Sequence, residues 1–168
     1  MSANLVAVLR SIGDLQIDER PMPMPGPGEV LIAVQSVGVC GSDVHYWHKG
    51  RIGDIVVRGS LILGHEAGGI VETVGSGVSH LKPSDRVSME PGVPCRVCVA
   101  CKTGRCNLCP DVRFMVTPPD DRAFIRYLTH PADFCFKLPE NVSLDEGAMF
   151  EPLSVGLHAC ARGGCWNR

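Results

Sequence analysis

Residues 29–50 read EVLIAVQSVGVCGSDVHYWHKG, and the pattern changes part-way along. From Val30 to Val39 apolar residues recur with the alternation of a β-strand. Gly41-Ser42-Asp43 then supplies the residue types that turn a chain and cap a short helix. Cys40 therefore falls at a strand end, where a side chain projects into a cleft. A single cysteine in such a place is more often a small buried hydrophobe than a ligand, so its meaning depends on its neighbours.

Two further stretches have the same character. Residues 61–78, LILGHEAGGIVETVGSGV, place Gly64-His65-Glu66 between one apolar strand and a second from Ile70 to Val74. Residues 144–164, LDEGAMFEPLSVGLHACARGG, set Glu151 beside Pro152 in an otherwise apolar run. A carboxylate there needs a partner, because burying it alone is costly. Ser143-x-x-Glu146 matches the capping box that opens a helix.

Residues 91–110, PGVPCRVCVACKTGRCNLCP, hold five cysteines. Two-residue gaps let Cys95, Cys98 and Cys101 curl around one ion, and Cys109 can close a tetrahedron from beyond the turn. Four thiolates with no open position make a structural zinc site rather than a catalytic one. An iron–sulfur centre is the competing metal reading, although the last gap does not fit a ferredoxin run. Free thiols that bind nothing are the third. Cys106 is a spare that also forms a C-x2-C pair with Cys109, and on spacing alone it competes as a ligand.

Composition narrows the field. A chain of 168 residues is long enough for one domain with its own core. Charged residues are 20% and the net charge is −2, without the basic footprint that nucleic-acid partners leave. With 45% apolar residues, 19 glycines and 13 prolines, the expected fold is mainly β with short helices. The start, MSANLVAVLRSIGD, is not expected to be a signal peptide, and no apolar run reaches the ~18 residues of a membrane span. Nine cysteines without an export signal point to the cytoplasm, where clustered thiols are more often metal ligands than disulfides.

Cys40-Gly41-Ser42-Asp43, Gly64-His65-Glu66, the 95/98/101/109 cluster and EPLSVGLHA occur in an order that resembles the zinc-containing medium-chain dehydrogenases. VCGSDVHYW, GRIGDIVV, LGHEAGG, TPPDD and LPENVSLDEGAMFEPLSVGLHAC look specifically like the polyol (sorbitol) dehydrogenase branch. The likeness runs from about Val8 to Gly164. It implies a GroES-like β-barrel catalytic domain over residues 1–151, with a zinc-bound lobe near 92–112, and the start of a crossover helix over 152–168.

The resemblance also implies roles. Cys40, His65 and Glu66 would bind a catalytic zinc, and Glu151 would approach it directly or through its water. Ser42 would relay a proton, and Tyr46 and Phe114 would line the polyol pocket; on composition alone, both aromatics are equally well read as core. Cys95, Cys98, Cys101 and Cys109 would hold a structural zinc. The implied reaction oxidises a secondary alcohol of a polyol to a ketose, with hydride transfer to NAD. The complete enzyme would be a homo-oligomer, a tetramer, with no membrane or nucleic-acid partner.

Some positions depart from the family. Ser84 stands in KPSDRV where glycine is usual, so that turn is strained if it needs a positive φ. Ser60 replaces a frequent proline, and DDRAF places Arg122 near the expected substrate mouth. No G-x-G-x-x-G follows a strand, and family members continue for about 150 more residues that include a dinucleotide-binding Rossmann domain. The expectation is a truncated chain with little turnover alone, its face at Met149, Phe150, Leu153 and Leu157 open to water. The alternative is a non-catalytic zinc-binding fragment or isoform that associates with full-length subunits.

Overall fold

The computed structural model describes residues 3–115, 117–118 and 123–165. Arg122 and the final three residues lie outside the described part, so the expectation for Arg122 is left there. Among the described residues there are twelve strands and four α-helices. In chain order the strands are β1 (Asn4–Ser11), β2 (Asp14–Arg20), β3 (Glu29–Gly38), β4 (Arg51–Ile52), β5 (Ile55–Val56) and β6 (Leu61–Ile62). They continue with β7 (Glu66–Val74), β8 (Arg86–Met89), β9 (Gly92–Val93), β10 (Arg113–Phe114), β11 (Tyr127–Pro131) and β12 (Cys135–Lys137). The helices are α1 (Gly41–Lys49), α2 (Val99–Lys102), α3 (Leu144–Ala148) and α4 (Phe150–Arg162).

Five strands form an antiparallel sheet in the order β11-β3-β7-β8-β12, and three form a second, β2-β1-β6. The segment 123–126 sews them together. Phe124 N–H donates to the Leu63 carbonyl, Ala7 N–H to the Phe124 carbonyl, and Val34 N–H to the Arg126 carbonyl, all at 2.8–2.9 Å. The main core lies against the larger sheet and contains Val30, Ile32, Val71, Val87 and Leu128. The mainly-β expectation with short helices therefore holds.

In β3 the burial is continuous rather than alternating: Val30, Leu31, Ile32 and Ala33 are all buried. A central strand of a sheet covered on both faces has no solvent side to leave polar. Helix α3 packs against β3, β7 and β8. Gly68 permits this, since a Cβ there would come within 2.6 Å of the Leu144 carbonyl oxygen.

The capping box opening α3 is present, with Glu146 N–H donating to Ser143 Oγ at 3.1 Å and Ser143 N–H to Glu146 Oε2 at 2.7 Å. Arg86 steadies the approach to it by donating to the carbonyls of Pro139 and Val142, each at 2.6 Å. Helix α4 follows almost at once, and the boundary expected between residues 151 and 152 falls within its first turn. No residue of α4 is buried, and Leu153, Val155 and Leu157 are 54%, 61% and 47% exposed. The apolar face expected to be open is open, Met149 and Phe150 included.

Ser84 adopts φ 73°, the left-handed conformation that its family departure raised. No helix among the described residues is long and apolar enough to cross a membrane.

Candidate metal centres

Strand register builds the first centre. In the β3–β7 pair Gly38 stands opposite Glu66, so the chain leaving β3 through Cys40 runs beside the chain entering β7 through His65. Gly38 has to be small, because a Cβ there would collide with the Glu66 carboxylate. Gly64 adopts φ 89° with the Phe124 ring against it, so both conformation and space require glycine before His65. As a result, the Cys40 sulfur, a His65 ring nitrogen and a Glu66 carboxylate oxygen lie within 4.8 Å of one another. His65 and Glu66 are buried and Cys40 is half-buried.

Asp43 holds the two segments together. One carboxylate oxygen accepts from Cys40 N–H and the other from Gly64 N–H, both at 3.0 Å. The first of these contacts also caps α1, and His65 Nδ1 stands 4.0 Å from Asp43 Oδ1. A carboxylate 2% exposed is tolerable only when its lone pairs are engaged in this way. The sequence showed Asp43 as a cap; its second role depends on a residue 21 positions away and had no local signal.

The other expected residues divide. Ser42 Oγ, two residues beyond Cys40, is buried and finds no hydrogen-bond partner among the described residues. Glu151, on the first turn of α4, is not a member of the mutually adjacent set. Its carboxyl is pushed above the usual range, chiefly by burial and then by the charges of Glu66 and Glu90. It thus feels the charge of Glu66, one member of the set. Glu90, which sequence reasoning missed, stands with Glu151 along one small cleft of about 120 Å³.

Tyr46 is 1% exposed and packs with Leu9, Leu61 and Leu63, so of its two readings the ring takes the core. Helix α1 turns Asp43 and Tyr46 inward together and leaves His45 and His48 exposed. Phe114 lines a separate cavity of about 380 Å³ with Phe134 and Phe136; this meets the Glu151 cleft at Glu90 and Phe136.

The second centre is local. β9 and β10 pair at the base of a lobe, and α2 and a 3-10 turn at Cys106–Leu108 fold within it. Sulfurs of Cys95, Cys98, Cys101 and Cys109 all lie within 4.8 Å of one another, and Cys106 stands outside the group. Four sulfurs around a tetrahedral zinc at about 2.3 Å would be separated by about 3.8 Å, so the set fits that ion. Backbone N–H groups point at the sulfurs: Cys95 N–H donates to Cys109 Sγ at 3.3 Å and Cys98 N–H to Cys95 Sγ at 3.4 Å. Donation from Val97 and Cys98 holds the Cys95 thiol down at about 7, while burial pushes Cys101 up. Arg96 ties the lobe to the body through an ion pair with Asp133 at 2.9 Å and by lying over the Phe134 ring.

The sequence profile of the alcohol dehydrogenase GroES-like domain matches residues 26–140, which include every residue of both sets. The chain belongs to this family. It is 58% identical over 161 residues to a sorbitol dehydrogenase of Gallus gallus, covering 96% of this chain and 45% of that protein. The chain thus spans less than half the length of that relative. Among solved structures, an Escherichia coli oxidoreductase of unknown specificity superposes with a TM-score of 0.89 at 44% identity, over 95% of this chain and 47% of that one. Galactitol-1-phosphate dehydrogenase from Escherichia coli gives 0.83 at 32% identity, over 92% and 44%. The GroES-like fold and the sorbitol dehydrogenase likeness expected from the motifs are both met.

Proposed function

We propose that this chain carries the metal centres of a polyol dehydrogenase that oxidises a secondary alcohol to a ketose. The observation that supports this most is the convergence of Cys40, His65 and Glu66, a mixed sulfur, nitrogen and oxygen donor set that leaves one tetrahedral position for substrate. When bound there, zinc supplies Lewis acidity to the substrate hydroxyl, and a nicotinamide cofactor, NAD in this reading, supplies the hydride acceptor. Cys40, His65 and Glu66 hold the ion, and the Asp43 clamp sets their spacing. Ser42 Oγ, buried without a partner among the described residues, relays the substrate proton, accepting it while passing its own hydroxyl proton on toward solvent. Glu151 bounds the site from the first turn of α4, from which its carboxyl would approach the ion directly or through its water. Phe114 contributes a wall to the adjoining cavity. Cys95, Cys98, Cys101 and Cys109 hold a second, structural zinc that shapes the lobe.

A chimaera tests the reading, with this chain replacing the corresponding segment of the Gallus gallus sorbitol dehydrogenase. Reduced nicotinamide should form from a panel of polyols, and Cys40→Ala should abolish it. A folded, zinc-loaded chimaera that leaves every polyol untouched would reject the catalytic reading. The exposed apolar face of α4 favours a second one, a zinc-binding chain that associates with full-length subunits. Co-elution of the unmodified chain with that dehydrogenase, lost on Leu153→Glu, would support it.

A further inference from the structure

The cysteine-rich lobe carries five thiols, of which Cys106 alone is exposed; Cys95, Cys98 and Cys101 are half-buried and Cys109 is buried. Cys106 is outside the four-sulfur group but attached to it by geometry. A single 3-10 turn, closed by Cys109 N–H donating to the Cys106 carbonyl at 3.0 Å, separates it from Cys109. In such a turn, side chains three residues apart lie over one another, with a rise of about 6 Å. That falls inside the Cα separation of about 4.4–6.8 Å that a disulfide spans. On its other side, Cys106 Sγ is 4.0 Å from the carbonyl oxygen of ligand-set residue Cys101. Cys106 also borders the cavity lined by Phe114, Phe134 and Phe136, so a small solute reaches its sulfur without displacing another thiol.

We propose that Cys106 is an oxidation site that takes a hydroperoxide as co-substrate, and that the disulfide it then forms with Cys109 expels the lobe's metal. The inference rests on the four-thiolate reading of the lobe given above. In the first step the Cys106 sulfur attacks the peroxide. An S–O bond forms, the O–O bond breaks, the sulfur loses two electrons to become a sulfenic acid, and the hydroperoxide is reduced to its alcohol, or to water when the oxidant is hydrogen peroxide. In the second step the Cys109 sulfur attacks that of Cys106. The S–S bond forms, the S–O bond breaks, and the oxygen leaves as hydroxide, which takes up a proton to become water. Two thiols and one hydroperoxide thus give one disulfide, one alcohol and one water. Three thiolates are left where a closed structural site needs four. Oxidation depends on access as well as thiolate character, and it is access that sets Cys106 apart from the four buried or half-buried sulfurs.

The experiment uses the zinc-loaded chain with Cys160→Ser and Cys165→Ser, which removes the exposed thiols outside the lobe. Hydrogen peroxide is added, and zinc release is followed with a chromophoric chelator while trypsin peptides are weighed. Cleavage after Lys102, Arg105 and Arg113 places Cys106 and Cys109 in one peptide, CNLCPDVR, apart from the other three cysteines. Zinc should leave as that peptide loses two hydrogens, and Cys106→Ser should slow release by about tenfold while keeping full zinc before treatment. Equal release from the Cys106→Ser chain, or release with CNLCPDVR unoxidised, would overturn the proposal. If metal analysis before peroxide finds the lobe empty, the four-thiolate reading fails and metal expulsion fails with it. The peptide map then still reports whether Cys106 pairs with Cys109.

Discussion

Replacing Asp43 by Asn keeps the shape of the side chain and removes half of its clamp. The carboxylate accepts from Cys40 N–H with one oxygen and from Gly64 N–H with the other, each at 3.0 Å, and is 2% exposed. An amide retains one acceptor oxygen and turns an NH2 group toward the remaining N–H. One hydrogen bond to a charged group, worth about 1.5–3 kcal/mol, is lost, and a buried N–H is left unpaired at a cost of about 1–3 kcal/mol. The two costs overlap, so the expected loss is about 2–4 kcal/mol. For a domain of this size, that lowers the melting temperature by about 5–15 °C. Circular dichroism melting of the metal-free protein measures the clamp itself. Zinc analysis of the loaded protein then asks whether Cys40 and His65 still meet, and the expected outcome is loss of that metal with retention at the thiolate lobe. An Asp43→Asn protein that melts with the parent and keeps both metals would refute the claim that this carboxylate holds the two segments together.

Ser84→Gly should stabilise the protein: a left-handed residue with a side chain costs about 1–2 kcal/mol, while glycine gives back about 0.5–1 kcal/mol in chain entropy. Ser84 is exposed at φ 73°, so little else changes, and a melting temperature that stays put or falls would count against the strain. Cys98→Ser should empty the lobe of metal and lower its melting temperature, whereas His65→Ala should empty the other centre alone; joint loss in either variant would mean that the two centres are not independent. Lys137 Nζ lies 2.6 Å from Asp85 and, chiefly by hydrogen bonding, holds that carboxyl below its ordinary 3.8. A depressed carboxyl stabilises the fold above its unfolded value and loses that contribution as pH falls through the folded one. Lys137→Met should therefore cost less than about 1 kcal/mol at neutral pH, since the lysine is half exposed, and the gap from the parent should close below pH 3.8 in denaturant titrations.

What could be read from the chain alone is what short-range stereochemistry controls. The cysteine lobe was legible because its four converging residues lie within fifteen consecutive positions, and two-residue gaps let neighbouring sulfurs face one point. The capping box at Ser143 and Glu146, the long strands and the strained turn at Ser84 are local in the same sense. Cys40, His65 and Glu66 could be singled out, but only as members of an ordered set that resembled a family. Nothing between residues 40 and 65 states that their side chains meet. That depends on the register of β3 against β7, and register is a property of two strands packed on a shared core.

Tertiary packing decided the rest. It turned Tyr46 into the core, closed Asp43 over two backbone segments, and left Glu151 out of the mutually adjacent donor set. It also left Cys106 in solvent while its four neighbours drew together. Residue type and spacing along the chain determine which atoms can bind a metal. Which of them converge, and which remain exposed, is settled by contacts between residues far apart in sequence, whose free energy no short segment contains.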